Sequence, residues 1–187
     1  MLYGKNEYYG TKESLWNKLH VWRGDITQCT ADAIVNVANT TLLGGGGVDG
    51  AIHKATGVEL LSACRKLNGC ETGEAKIIPG FKLPAQFIIH TVGPIYERHP
   101  QKKAELLRNC YKNCLAITPK HDIYSISFPA TSCGVYGYPA EEAAHIAIAT
   151  VMVELPNYTQ LEKIIFVVFS DRSEEIYRNH IYLLEKK

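Results

Sequence analysis

The sequence contains no C-x-x-C pair, no aliphatic or aromatic run longer than the six residues Ile164–Phe169, and no excess of one charge. The first absence removes zinc-ribbon and thioredoxin-like chemistry. The second removes a membrane-spanning helix, which needs about 20 apolar residues. A net charge of +1 and a pI of 7.6 give no global pull toward nucleic acid or an acidic membrane. Six cysteines in 187 residues are too sparse for a disulfide scaffold. Cys110 and Cys114 stand one helical turn apart and read as small apolar side chains on a buried face. Lys5, Glu7, Lys12 and Glu13 interrupt any apolar signal-peptide core, so a cytoplasmic protein of a reducing compartment is expected.

What is present is a chain of single-domain length with 46% hydrophobic and 21% charged residues. Short apolar runs alternate with segments of helical period. Strands are predicted at Leu19–Trp22, Ala33–Asn36, Ala75–Ile78, Phe87–Val92, Ser125–Pro129 and Lys163–Phe169. Helices are predicted at about Asp49–Thr56, Val58–Lys66, Lys103–Ala116, Pro139–Leu155 and Ser173–Leu184. Pro139 is placed in a first helical turn, and Asp171 with Glu174 reads as a capping box. The alternation implies a mixed, largely parallel sheet covered on both faces, with residues 1–18 as an extension whose Leu15 and Trp16, together with Leu19, form part of an apolar stripe.

In such folds ligands bind beyond the carboxyl ends of the strands. Four segments follow predicted strands directly: Gly24–Thr27, Asn36–Asn39, Ser132–Tyr138 and Ser170–Asp171. Two glycine-rich loops run into helices, one of them Gly44–Gly47 ahead of Asp49, and together they suggest a diphosphate cradle. Gly45-x-Gly47-x-x-Gly50 matches the dinucleotide-binding pattern, but the preceding strand ends about eight residues too early for its tight turn. Neither loop has the lysine of a nucleoside-triphosphate P-loop. Gly44–Gly47 also reads as a flexible surface loop, Asn39 as a turn former and Asp49 as a helix-start carboxylate. Asn39 and Asp49 in combination suit sugar hydroxyls and a positioned water.

His53 follows Asp49 by one helical turn and is read as a supporting partner. Glu142-x-x-His145 lacks the second copy a di-iron site needs. No base beside Cys133 can be read from the sequence, so it is not taken as a nucleophile.

Gly24–Asp25–Ile26–Thr27, Asn36-x-Ala38–Asn39, Gly44–His53, Thr72–Gly73–Glu74–Ala75, His90–Thr91–Val92–Gly93–Pro94 and Gly134–Pro139 occur in that order. This series resembles the MacroD-type branch of the macrodomain family, from about Leu19 to Phe169. The resemblance implies a three-layer α/β/α sandwich that binds ADP-ribose without a cofactor or metal. Asp25 and the Ile26 backbone would hold the adenine, and Phe169 would be either its wall or a core residue. Gly46, Gly47 and Val48 would line one side of the diphosphate, with Ser132, Cys133, Gly134, Val135 and Tyr136 on the other. Asn36 would belong to the binding set, and Asn39 with Asp49 would act on the distal ribose. Cys133 departs from the small hydroxyl residue usual in relatives, and Glu71 from a common proline.

The implied reaction is hydrolysis of ADP-ribosyl esters: release of mono-ADP-ribose from Asp or Glu side chains, or deacetylation of O-acetyl-ADP-ribose. A non-catalytic ADP-ribose reader is the alternative, and an RNA-binding or scaffold module ranks behind both. Nucleic acid would enter only as an ADP-ribosylated substrate, and a monomer is expected.

Overall fold

The computed structural model describes residues 15–98, 101–134 and 136–186. Six strands form one sheet: β1 (Leu19–Arg23), β2 (Ala33–Val37), β3 (Ala75–Pro79), β4 (Phe87–Thr91), β5 (Ser125–Pro129) and β6 (Lys163–Val168). Their order is β1-β6-β5-β2-β4-β3. All neighbours are parallel except β3, which runs antiparallel to β4 at the edge. The predicted strands are all present, displaced at their ends by a residue at most. Phe169 falls just beyond β6, and Val92 makes an isolated bridge with Thr72.

The period-2 geometry of the strands divides the apolar residues between two layers. Ala33 and Val35 of β2, with Ile164, Phe166 and Val168 of β6, face α3 (Lys103–Ile117), α4 (Ala140–Glu154) and α5 (Asp171–Glu185). Ile34 of β2, with Ile165 and Val167 of β6, faces α1 (Gly47–Thr56) and α2 (Val58–Lys66). The result is the expected α/β/α sandwich. Cys110 and Cys114 are buried on α3 itself, and Trp16 and Leu19 join the core that holds Cys114. Residues 1–14 of the proposed extension lie outside the described residues.

Two helix starts differ from expectation. Pro139 is the cap residue of α4 rather than part of its first turn, with ψ at 126°. Ser170, not Asp171, caps α5: its hydroxyl accepts from the Ser173 N–H at 3.1 Å. The Asp171 carboxylate sits inside the first turn and pairs instead with Arg23 at the end of β1. A serine hydroxyl directly after a strand has the shorter reach to the open N–H groups, which leaves the aspartate for the cation.

Candidate active site

The carboxyl ends of β1, β6, β5 and β2 lie side by side, so their loops form a row. Along it stand Asp25, Phe169, the Ala130–Gly134 turn and Asn39, in the order of the sheet rather than of the chain. Beneath the β5 and β2 end opens a cavity of about 350 Å³, lined by Ala38, Asn39, Gly45–Asp49, Ala130, Ser132, Gly134 and Tyr136 among others. That volume is within the range of small-molecule sites.

One wall is the start of α1. Its cap residue, Gly46, offers no side-chain acceptor, so the first N–H groups of the helix stay open toward the cavity. Such a terminus attracts an anion. Gly47 takes φ +59°, a conformation that suits glycine, and no atom lies within 4 Å of where a Cβ would project from Gly46 or Gly47. Gly45 has less room: its Cβ would stand 3.0 Å from Asp49 Oδ2 and 3.4 Å from Asn39 Nδ2. The facing wall holds Ser132, buried with φ +64° and with no partner for its Oγ. Tyr136 accepts at its carbonyl from the Tyr96 N–H at 3.0 Å, which ties this wall to the segment after β4.

Asp49 is 4% exposed. Its Oδ1 accepts from Asn36 Nδ2 at 2.7 Å and lies 3.5 Å from His53 Nε2. Its Oδ2 has no partner. Burial pushes the carboxyl above the usual carboxylate range, while the Asn36 hydrogen bond and the nearby His53 act in the other direction. Burial, and then the charge of Asp49, raise the Tyr136 phenol. Asn39 realises its turn-former reading while lining the cavity. Its Oδ1 accepts from the N–H and hydroxyl of Thr41 at 3.0 and 2.6 Å, and its Nδ2 donates to the Gly44 carbonyl at 3.0 Å.

The remaining expected residues divide. Gly46, Gly47, Val48, Ser132, Gly134 and Tyr136 converge on the cavity with Asn39 and Asp49. Asn36 lies fully buried behind Asp49 instead of on the cavity wall. Asp25 is exposed at the β1 end, where its Oδ1 accepts from the N–H and hydroxyl of Thr27, and Ile26 is buried. Phe169 is 77% exposed, which rules out a core role for it. Cys133 does not line the cavity: its Sγ donates to the Thr131 carbonyl at 3.5 Å, and burial pushes the thiol up to about 11. Val135 lies outside the described residues. His145 packs edge-on against His180 and Glu142 accepts from Tyr96 and Tyr138, so neither joins the site. Among the described residues, no group of three or more His, Cys, Asp or Glu side chains is arranged to hold a metal ion.

Sequence reasoning missed His90 as a site residue. It is fully buried on β4, and its Nδ1 is 3.0 Å from Asn36 Nδ2. The available signal was a histidine inside the apolar strand Phe87–Val92, where an ionisable ring needs a partner.

The Macro domain family model matches residues 35–147, which include the end of β2, the glycine loop, α1 and the facing turn. The chain belongs to the macrodomain family. This macrodomain is 55% identical over 160 residues to a macro domain-containing protein of Chlorobaculum tepidum, covering 86% of this chain and 93% of the relative. It is 50% identical over 169 residues to the ADP-ribose glycohydrolase MACROD2 of Homo sapiens, covering 89% of this chain but only 40% of that longer protein. An Oceanobacillus iheyensis macrodomain solved with ADP superposes with a TM-score of 0.85 at 48% identity, over 90% of this chain and 93% of the other. A Trypanosoma brucei macrodomain in complex with ADP-ribose gives a TM-score of 0.83 at 39% identity, over 89% and 70% of the two chains.

Proposed function

We propose that this macrodomain binds ADP-ribose and hydrolyses its esters at the distal ribose, releasing mono-ADP-ribose from modified Asp or Glu side chains. The observation that carries the reading is the Asp49 carboxylate: buried, held at one oxygen by Asn36, unpartnered at the other, and beside an uncapped helix start. Relatives named ADP-ribose glycohydrolases and neighbours solved with ADP or ADP-ribose support it.

In this reading the diphosphate lies between the N–H groups of Gly47 and Val48 and the Ser132–Gly134 turn. The adenine extends along the row of strand ends toward Asp25 and Phe169. The distal ribose then meets Asn39 and Asp49, and Asp49 Oδ2 orients the attacking water. Alignment of this kind contributes up to about 7–11 kcal/mol in the best cases. A carboxyl raised by burial is also a stronger proton acceptor than an ordinary one when ionised.

O-acetyl-ADP-ribose presents a smaller ester of the same kind and is the second substrate to offer. The deciding assay follows release of ADP-ribose from a protein mono-ADP-ribosylated on glutamate, and of acetate from O-acetyl-ADP-ribose, beside calorimetry with free ADP-ribose. Binding with release from either substrate is expected. Tight binding with no release from either would assign the domain to non-catalytic readers of ADP-ribose, and no binding would remove the ligand assignment.

A further inference from the structure

Behind Asp49 lies a row of polar side chains that no solvent reaches. Asn36, His90 and Cys64 are each 0% exposed. Asn36 and His90 are directly paired across the parallel strands β2 and β4, which places both side chains on the α1/α2 face of the sheet. Asn36 Nδ2 donates to Asp49 Oδ1 at 2.7 Å and stands 3.0 Å from His90 Nδ1. His90 Nε2 stands 3.6 Å from Cys64 Sγ on α2.

The chemistry of these atoms selects one arrangement. An amide nitrogen has two N–H groups and nothing to accept with. With one N–H committed to Asp49, the other must find an acceptor at His90 Nδ1, so Nδ1 is unprotonated. The ring proton then sits on Nε2 and points at the Cys64 sulfur, a weak acceptor. Reversing the Asn36 amide would set its carbonyl oxygen against the Asp49 carboxylate, and protonating Nδ1 would set two donors against each other. Each alternative replaces a buried hydrogen bond by a contact of two acceptors or two donors, at a cost of about 1–3 kcal/mol or more, whereas the arrangement kept retains both bonds and leaves Asn36 Oδ1 without a partner.

We propose that His90 is a positioning residue of this site: by accepting at Nδ1 it fixes the Asn36 amide, and through it the orientation and ionisation of Asp49, whose Oδ2 is left free for the cavity. The role rests on reading Asp49 as the group that orients water. Burial, with the nearby His53, holds the His90 imidazole down to about 4, so the ring stays a neutral acceptor at neutral pH. Burial, reinforced by the charge of Asp49, pushes the Cys64 thiol up to about 11, so it remains a thiol. Lys76, paired with His90 across β3 and β4, spends its ammonium on the carbonyls of Leu67 and Gly69 at 2.7 and 2.6 Å.

The test reads Asp49 directly, by carbon-13 NMR titration of its side-chain carboxyl in the wild type, His90→Leu and His90→Asn. All three are uncharged at position 90 at neutral pH. His53 on the same helix, Cys64 on α2, Lys76 on β3 and Tyr136 on the facing loop are untouched, so a change reports the Asn36 amide. In His90→Leu the Asp49 midpoint should move to higher pH. Its kcat for ester hydrolysis should fall at least tenfold, while KM and the Kd for ADP-ribose change less than threefold. Asparagine can present an amide oxygen near the former Nδ1, so His90→Asn should restore the midpoint and most of kcat. An unchanged Asp49 midpoint in a folded His90→Leu overturns the proposal.

Should His90→Leu fail to fold, nitrogen-15 NMR of the wild-type ring decides: a proton on Nδ1 at neutral pH overturns the proposal, and a proton on Nε2 alone upholds it. A shifted midpoint in a protein that cleaves no ester would uphold the positioning of Asp49 and overturn the hydrolase reading instead.

Discussion

Gly93 lies directly against Ser132: a Cβ on Gly93 would overlap the Ser132 Oγ. Ser132 is the cavity residue held at φ +64°, so the absence of a side chain after β4 is what lets the facing wall take this shape. Gly93→Ala must displace Ser132 and the turn it begins. Overpacking of this kind costs about 1–3 kcal/mol. We expect a lower thermal midpoint and a loss of ADP-ribose affinity of about tenfold, or 1.4 kcal/mol, read by calorimetry. Unchanged affinity would separate the shape of this turn from ligand binding.

Gly46 and Gly47 allow strain to be told from occupancy. Both have open space where a Cβ would go, but only Gly47 has a positive φ. Gly46→Val should leave the thermal midpoint nearly unchanged while lowering ADP-ribose affinity, because the new methyl groups enter the cavity. Gly47→Ala should lower both, with a backbone cost of about 1 kcal/mol. Denaturant melts and calorimetry on the two variants provide the comparison.

Asp49→Asn tests the cost of the site as well as its chemistry. The folded carboxyl is raised, so the folded state binds its proton more readily than the unfolded chain does. Its contribution favours folding at acid pH and is lost as pH rises through the folded value. Asparagine has no such dependence and can still accept from Asn36. The variant should therefore melt higher than wild type at pH 7.5, with the gap closing on acidification. Turnover should drop at least about 100-fold, the scale of a lost acid–base group, with ADP-ribose binding retained.

The same linkage applied to His90 has the opposite sign. Its folded value of about 4 lies below the ordinary 6.5. Between these the unfolded chain takes up a proton that the folded state refuses, so stability is fully present above about pH 6.5 and is lost as pH falls toward 4. At 1.36 kcal/mol per unit this is roughly 3 kcal/mol, offset at the acid end by Asp49. Urea unfolding at pH 7.5, 6 and 5 should show the decline, and His90→Leu should flatten it.

Much of the architecture was legible because the four central strands, β2, β4, β5 and β6, are short, mostly apolar runs buried on both faces. Lys163–Val168 is the clearest instance. The cavity wall from Gly45 to Asp49 was legible for a different reason, since glycines followed by a helix leave backbone donors open. Two kinds of residue were not legible. The role of Asn36 depends on register: only the pairing of β2 with β4 brings it to His90, and nothing in either strand alone states that pairing. The start of α5 depends on competition between Ser170 and Asp171, and the aspartate's partner, Arg23, lies about 150 positions earlier in the chain.

The pairing of β1 with β6 has a consequence for how the molecule is made. Among the described residues, β1 has β6 as its only sheet neighbour, although 139 residues separate Arg23 from the start of β6 at Lys163. During synthesis β1 therefore waits unpaired until the chain has been made past Val168. The loop it must close is nearly the longest the domain offers, and such contacts form slowly. The end of the row that carries Asp25 and Phe169 thus needs a segment of chain made well after β2 and β4, the strands that pair Asn36 with His90.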